Sequence, residues 1–523
     1  LKRLLVALVF CGWLVGSAGL LHAEVKPASL FTDHMVLQQQ VPVPVWGTAA
    51  PEEKITVTLA GQRKNTVAGA DGCWMVRFAP LKAGGGPLEM RIEGSNQAGS
   101  NTVVLKDVLV GEVWLASGQS NMVFTISVKA ASFAGMQDEA RVIAAANHPT
   151  IRMFTVKPVK SATPQTDAGG TWQVATPENA PGFSAVGYLF AEKLEQELKV
   201  PVGIVTVAYG ASTAEAWLPR EAIARDPELA SLLPRFDALV SFYDTHPGAN
   251  VTDAPPLPQT INGRAASSGL LRDPMQDQHQ PTVLYNGMLH AVIPYAIRGA
   301  IWYQGESIVD ARKGVERYPH TMQLLVEDWR KEWGQGVFPF YAVQLAALKN
   351  VSNNPVVREQ QARILDLPKT GLAVTIDVGD PDNVHPKNKG PVGDRLARIA
   401  LAETYGRKIE FSGPRYLSMK TEGSAIRIRF THTAGGLVAA GGPLHWFQIA
   451  GADHKFVDAE AKVDGDTVLV QSPKVAAPLA VRYAWDNYPV GANLSNQAGL
   501  PAAPFRTDDW DALSEVAQQF TGK

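Results

Sequence analysis

Residues 108–122 constrain this chain more than any other stretch. The apolar, β-branched run at 108–115 has the length of a buried strand, and it stops abruptly in the small and polar residues at 116–121. A strand that runs straight into a tight turn suits an open α/β sheet, where ligands sit just beyond the carboxyl ends of the strands. Ser120, inside that turn, is therefore the first candidate nucleophile.

The rhythm that follows is strand, loop, helix. Ser184 is placed to cap a helix over 185–198 whose stripe is Val186, Leu189, Phe190 and Leu194. Residues 202–208, 299–303, 339–345 and 371–377 read as further strands, and 285–297 and 322–333 as helices. Alternating units of this kind predict an α/β fold with a mostly parallel sheet covered on both faces, over residues 108–411. The segment 220–280, rich in Pro, Asp and Gly, reads as an insertion.

On either side the pattern is short β runs broken by turns, which predicts an N-terminal β-sandwich at 24–107 and a C-terminal one at 412–490. Trp46 and Trp74 are read as core of the first in preference to a sugar-binding face. A tail at 491–523, helical over 508–520, packs back on the rest. With 523 residues the chain exceeds a single core.

Lys2 and Arg3 precede an apolar stretch at 4–21 and then His22-Ala23-Glu24, the pattern of a secretory signal peptide cut after Ala23. The alternative is an uncleaved anchor, since a bilayer is spanned by about 20 apolar residues. The expectation is a periplasmic or secreted protein, off the membrane after cleavage. Of the two cysteines, Cys11 lies in the leader, so Cys73 has no partner for an internal disulfide and a Cys-rich zinc site is excluded. A net charge of −2 gives no basic field for nucleic acid. Oligomeric state is left open.

Acyl transfer requires a nucleophile, a base with an orienting acid, and donors for an oxyanion. A serine hydroxyl needs an adjacent imidazole to take its proton. Among 11 histidines, His385 stands out, because it follows a strand and has Asp382 three and Asp380 five residues before it. An Asp-x-x-His loop can fold back so that a carboxylate fixes the imidazole tautomer, with Asp382 the first choice and Asp380 the reserve. The oxyanion donors available at strand ends are the N–H groups of Ser120 and Gly210 and the side-chain amide of Gln304.

Four blocks, Gly118-Gln-Ser-Asn-Met122, Gly210-Ala-Ser-Thr-Ala-Glu-Ala-Trp217, Trp302-Tyr-Gln-Gly-Glu-Ser307 and Asp382-Asn-Val-His-Pro386, together resemble the sialate O-acetylesterase family within the SGNH hydrolases. The flanks at 30–38, 329–334 and 500–510 are similar to that family too. The resemblance implies a flavodoxin-like, three-layer SGNH core and Ser120 with His385 as the catalytic pair. It also implies oxyanion donors at Ser120, Gly210 and Gln304, and hydrolysis of sugar O-acetyl groups without metal or cofactor. Asn121, Glu306, Arg358 and Glu215 lie in matching motifs and are read as supporting or substrate-binding groups. The chain departs from the family's pattern at Ile308, where relatives commonly carry Asn, and at Asn383, where many carry an acid, so a Ser-His dyad supported by backbone carbonyls, with neither Asp382 nor Asp380, stays open beside the triad. The substrate implied is an acetylated carbohydrate, a sialate first and a plant polysaccharide such as xylan second. Arg358 and Arg272 are the cations that would meet a sialate carboxylate. A reading of another class is an inactive carbohydrate-binding surface protein.

Overall fold

The computed structural model describes residues 24–513 apart from 98, 250–259, 262–263, 266–272 and 310–311. The expected leader at 1–23, Arg272 and most of the tail helix expected at 508–520 therefore lie outside the described residues.

A large mixed sheet forms the centre. Its seven strands in chain order are β1 (Gly99–Gly118), β2 (His148–Thr155), β3 (Trp172–Ala175), β4 (Val202–Ala208), β5 (Gly299–Tyr303), β6 (Phe340–Val343) and β7 (Thr370–Ala373). They lie in the order β3-β2-β4-β1-β5-β6-β7. All neighbours are parallel except the edge pair β3 and β2.

The central strands are almost wholly apolar because both faces are covered. Val113 and Leu115, Val205 and Val207, Ala300 and Trp302, and Phe340 and Ala342 enter one core with the helices Arg312–Trp333 and Asn354–Ala362. The alternate residues Trp114 and Ala116, Ile204, Ile301 and Tyr303, and Tyr341 and Val343 enter a second core with the helices Ala185–Leu198 and Gly390–Ile399. Period-two alternation thus feeds two cores where a half-exposed sheet would feed one.

Strand order reverses around β1, since the chain moves outward to β2, returns through β4 and then crosses to β5, β6 and β7. Gly118 pairs with Ala208 on one side and Tyr303 on the other, so three strands end level with one another at that reversal. A crevice at such a point is where open α/β sheets bind ligands.

β1 is one continuous strand of 20 residues. Residues 99–108 of it pair with Leu88–Asn96 and residues 109–111 with Val36–Gln38, so the serine turn is carried on a strand rooted in the N-terminal sheets. The boundary expected at 107/108 falls within it. At the other end, the four-stranded sheets containing Ala425–Thr431 and Ala480–Tyr483 share one core of Ile426, Ile428, Val468, Val470, Phe447, Ile449 and Tyr483.

Some elements differ from expectation. The helix expected at 285–297 is a single π-helical turn, Tyr285–Leu289, with Pro294 unable to donate to any continuation. The helix expected at 322–333 begins at Arg312 and carries Pro319 inside it. The last strand stops at Ala373, because Val374 and Ile376 pack into the C-terminal core. No helix among the described residues is long and apolar enough to cross a membrane.

Candidate active site

Gly118 has φ +130°, and a Cβ there would lie 2.1 Å from the carbonyl oxygen of Tyr303. Only glycine fits a backbone in that conformation at that distance. The Gln119 N–H then donates to Tyr303 O at 2.9 Å, and the four-residue helix Ser120–Val123 begins. Ser117 Oγ on Val207 O and the Tyr209 N–H on Gly118 O lock the neighbouring strand end.

Ser120 Oγ and His385 Nε2 are 2.7 Å apart although 265 residues separate them in sequence. The His385 ring packs against Phe133 at 4.9 Å and Phe124 at 6.5 Å between centroids. This burial, with the Lys389 ammonium as a second cause, pushes the imidazole down from 6.5 to about 4. The ring is therefore neutral and able to accept a proton throughout the ordinary pH range.

Asp382 is not brought to that ring. Asp380 Oδ1 accepts the N–H groups of both Asp382 and Asn383 at 3.0 Å, forming a turn that leaves Asp382 exposed. Asn383 Oδ1 accepts the His385 N–H at 2.9 Å. Where many relatives carry an acid, this chain thus has a side chain that fixes the loop backbone. Among the described residues no carboxylate bonds to the His385 ring.

Gly210 follows β4, and a Cβ on it would lie 3.7 Å from that of Ser120. Its φ is not positive, so its place beside the serine, and no demand for a left-handed turn, distinguishes it. No described group takes up the Ser120 or Gly210 N–H. Gln304 is fully buried, with Nε2 donating to Ser212 O at 3.1 Å and its backbone carbonyl accepting from Tyr318 Oη and Gln361 Nε2.

Beneath the serine lies a buried polar cluster. Asn121 Nδ2 donates to Glu306 Oε1 and to Val384 O, the residue before His385. Asn121 Oδ1 accepts Lys389 Nζ. Burial raises the Glu306 carboxyl and lowers the Lys389 ammonium to about 7. Sequence reasoning missed Lys389; the one signal was its place four residues after the histidine.

Arg358 is elsewhere. Fully buried, it donates to the carbonyls of Leu345, Ala346, Asp486 and Asn487, so it offers nothing to a substrate carboxylate. Glu215 is paired with Arg317 at 3.0 Å. Ile308 is buried in the core. A cavity of about 230 Å³ opens beside the histidine loop, lined by Glu306, Asn383, Val384 and the segment 345–348 among others.

A family model described as carbohydrate esterase, sialic acid-specific acetylesterase, matches residues 273–402. The sialate O-acetylesterase of Mus musculus is 28% identical, covering 91% of this chain and 93% of the mouse protein. That of Homo sapiens is 27% identical, covering 94% of each. The crystal structure of a carbohydrate acetylesterase from Xanthomonas citri is 36% identical with a TM-score of 0.78, over 93% of this chain and 100% of that one.

Proposed function

The chain belongs to the sialate O-acetylesterase family of carbohydrate esterases, and from that premise we propose that this carboxylic ester hydrolase deacetylates sugars through an acyl-enzyme on Ser120. The observation that carries the mechanism is the 2.7 Å contact between Ser120 Oγ and a half-buried, neutral His385. Ser120 attacks the acetyl carbonyl as His385 takes its proton. His385 then returns the proton to the departing sugar hydroxyl, and water repeats the cycle on the acetyl-serine. The N–H groups of Ser120 and Gly210, with the Gln304 amide, are the oxyanion donors in this reading. The base is oriented by its loop and by the aromatic rings, so the unit is a Ser-His pair, and Asp382 stays in solvent.

The order of strands and the two covered faces support a flavodoxin-like SGNH core. The paired sheets at either end support β-sandwich units at 24–107 and 412–490. An exported site of action, periplasmic or secreted, goes with the leader.

The curated relatives support a sialate ester as substrate. One observation favours a second reading, an acetylated neutral polysaccharide such as xylan: no described cation lines the cavity beside His385, and Arg358 is engaged elsewhere. Acetate release from 9-O-acetyl sialic acid and from acetylated xylan, measured side by side, separates the two. A fluorophosphonate should label Ser120. Undiminished hydrolysis of p-nitrophenyl acetate by Ser120→Ala overturns the mechanism.

A further inference from the structure

Lys389 occupies a place that ordinary folding energetics disfavours. Its side chain is fully buried, and it is the N-cap of the helix Gly390–Ile399, with its carbonyl taking the N–H groups of Val392 and Gly393. Burial strips an ammonium of hydration, and a helix N-terminus repels a cation. The site repays neither cost with a direct ion pair. The described hydrogen bond of Nζ goes to Asn121 Oδ1, and the cation also lies 4.4 Å from the Phe124 ring centroid and 5.6 Å from that of Tyr303.

Asn121 is the hub of this arrangement. It adjoins Ser120 in sequence, and its Nδ2 reaches both Glu306, after β5, and Val384 O, in the histidine loop. Below about 7 Lys389 is an ammonium, which has only donors and must meet Oδ1, so it fixes which way the amide faces. A rotated amide would present its oxygen to Val384 O and lose that bond.

We propose that Lys389 is a positioning residue that, through Asn121, fastens the serine turn to the histidine loop in the geometry where His385 accepts the serine proton. This rests on the Ser-His reading above. The titratable groups facing the Lys389 ammonium are Glu306, Tyr303 and, on its own loop, His385. Its charge acts on His385 in the same sense as burial, disfavouring the imidazolium, so the base stays free in mildly acid solution.

The test compares wild type with Lys389→Met and Lys389→Gln in the full chain, reading kcat, KM, melting temperature, the pH profile of kcat/KM and the rate of Ser120 labelling by a fluorophosphonate. Lys389→Met should lower kcat and the labelling rate about 30-fold or more with KM within about threefold, as misplacement of a base does. Lys389→Gln keeps a donor for Asn121 and should recover most of kcat, yet its acid limb should move up by roughly one pH unit because the charge is gone. Asn121→Ala combined with Lys389→Met should cost little more than either alone.

A folded Lys389→Met with wild-type kcat, labelling rate and acid limb overturns the proposal. If that variant does not fold, Lys389→Gln decides, and a wild-type profile there overturns it equally. Wild type that is not labelled at Ser120 overturns the underlying Ser-His reading; wild type labelled at Ser120, with both variants labelled at the same rate and pH dependence, overturns the Lys389 role alone.

Discussion

A serine hydroxyl beside an imidazole reacts only while the ring is free to take a proton, so the first consequence of this site is a pH profile. Phe133 and Phe124 shield the His385 ring, and burial brings it down from 6.5 to about 4. The neutral ring therefore persists as pH falls, and on the proposed mechanism activity should be lost only on approaching that lower value. The acid limb of kcat/KM for p-nitrophenyl acetate should have its midpoint near about 4. Phe133→Ala returns water to the ring and should move the limb upward toward 6.5. A wild-type limb at the ordinary histidine value would mean that the ring is wet. Ser120→Ala and His385→Ala should each cut kcat by roughly 10⁴-fold or more. Asp382→Asn should change it by less than about threefold, against the roughly 10⁴-fold loss seen when a carboxylate truly orients the base. That Ser120 and His385 meet was legible in the sequence, because a strand end and a motif mark them. The role given to Asp382 was not borne by the geometry, since a three-residue spacing cannot reveal that Asp380 captures the turn and points its neighbour outward.

At the scale of the element, the serine turn is set by backbone contact. The carbonyl of Tyr303 stands 2.1 Å from where a Gly118 Cβ would be, and φ there is +130°. Gly118→Ala should therefore cost at least about 3 kcal/mol, or abolish folding, where a glycine free of contact costs about 1. Denaturant midpoints would show it. The strands bounded by this geometry were legible: 202–208 and 299–303 coincide with β4 and β5, since a doubly buried strand writes itself as an unbroken apolar run between turn residues. The limits of β7 were not. Val374 and Ile376 look like its continuation, yet they leave the sheet for the C-terminal core, and apolar character does not say which core a residue enters. The same limit hid the first turns of Arg312–Trp333, which lie ahead of a proline that the completed helix tolerates.

The whole molecule couples its C-terminal part to the cavity through a buried cation and the asparagine beside it. Arg358 spans from the carbonyls of Leu345 and Ala346, in the segment that walls the cavity, to those of Asp486 and Asn487 beyond the last long strand of the C-terminal core. Asn487 adds three bonds of its own, its carbonyl accepting the Leu348 N–H, its Oδ1 accepting the Asn354 N–H and its Nδ2 donating to Val351 O. Val351 and Asn354 also line the cavity. The C-terminal part thus braces the wall against which the sugar would rest while leaving Ser120 and His385 untouched. Removing the brace should therefore weaken substrate binding more than the chemical step. Arg358→Met takes the guanidinium from four carbonyls, of which those of Leu345 and Asp486 have no other described donor, and should lose at least about 3 kcal/mol of stability. Asn487→Ala removes two neutral-range bonds, should lose about 1 to 3 kcal/mol, and leaves a protein stable enough to assay. In that variant KM for an acetylated sugar should rise several-fold with kcat within about twofold, whereas p-nitrophenyl acetate, which has no sugar to lean on the wall, should show little change in either. Equal losses on both substrates would mean that the brace acts on the serine and histidine themselves, and the cavity wall would then have no separate part in holding the sugar.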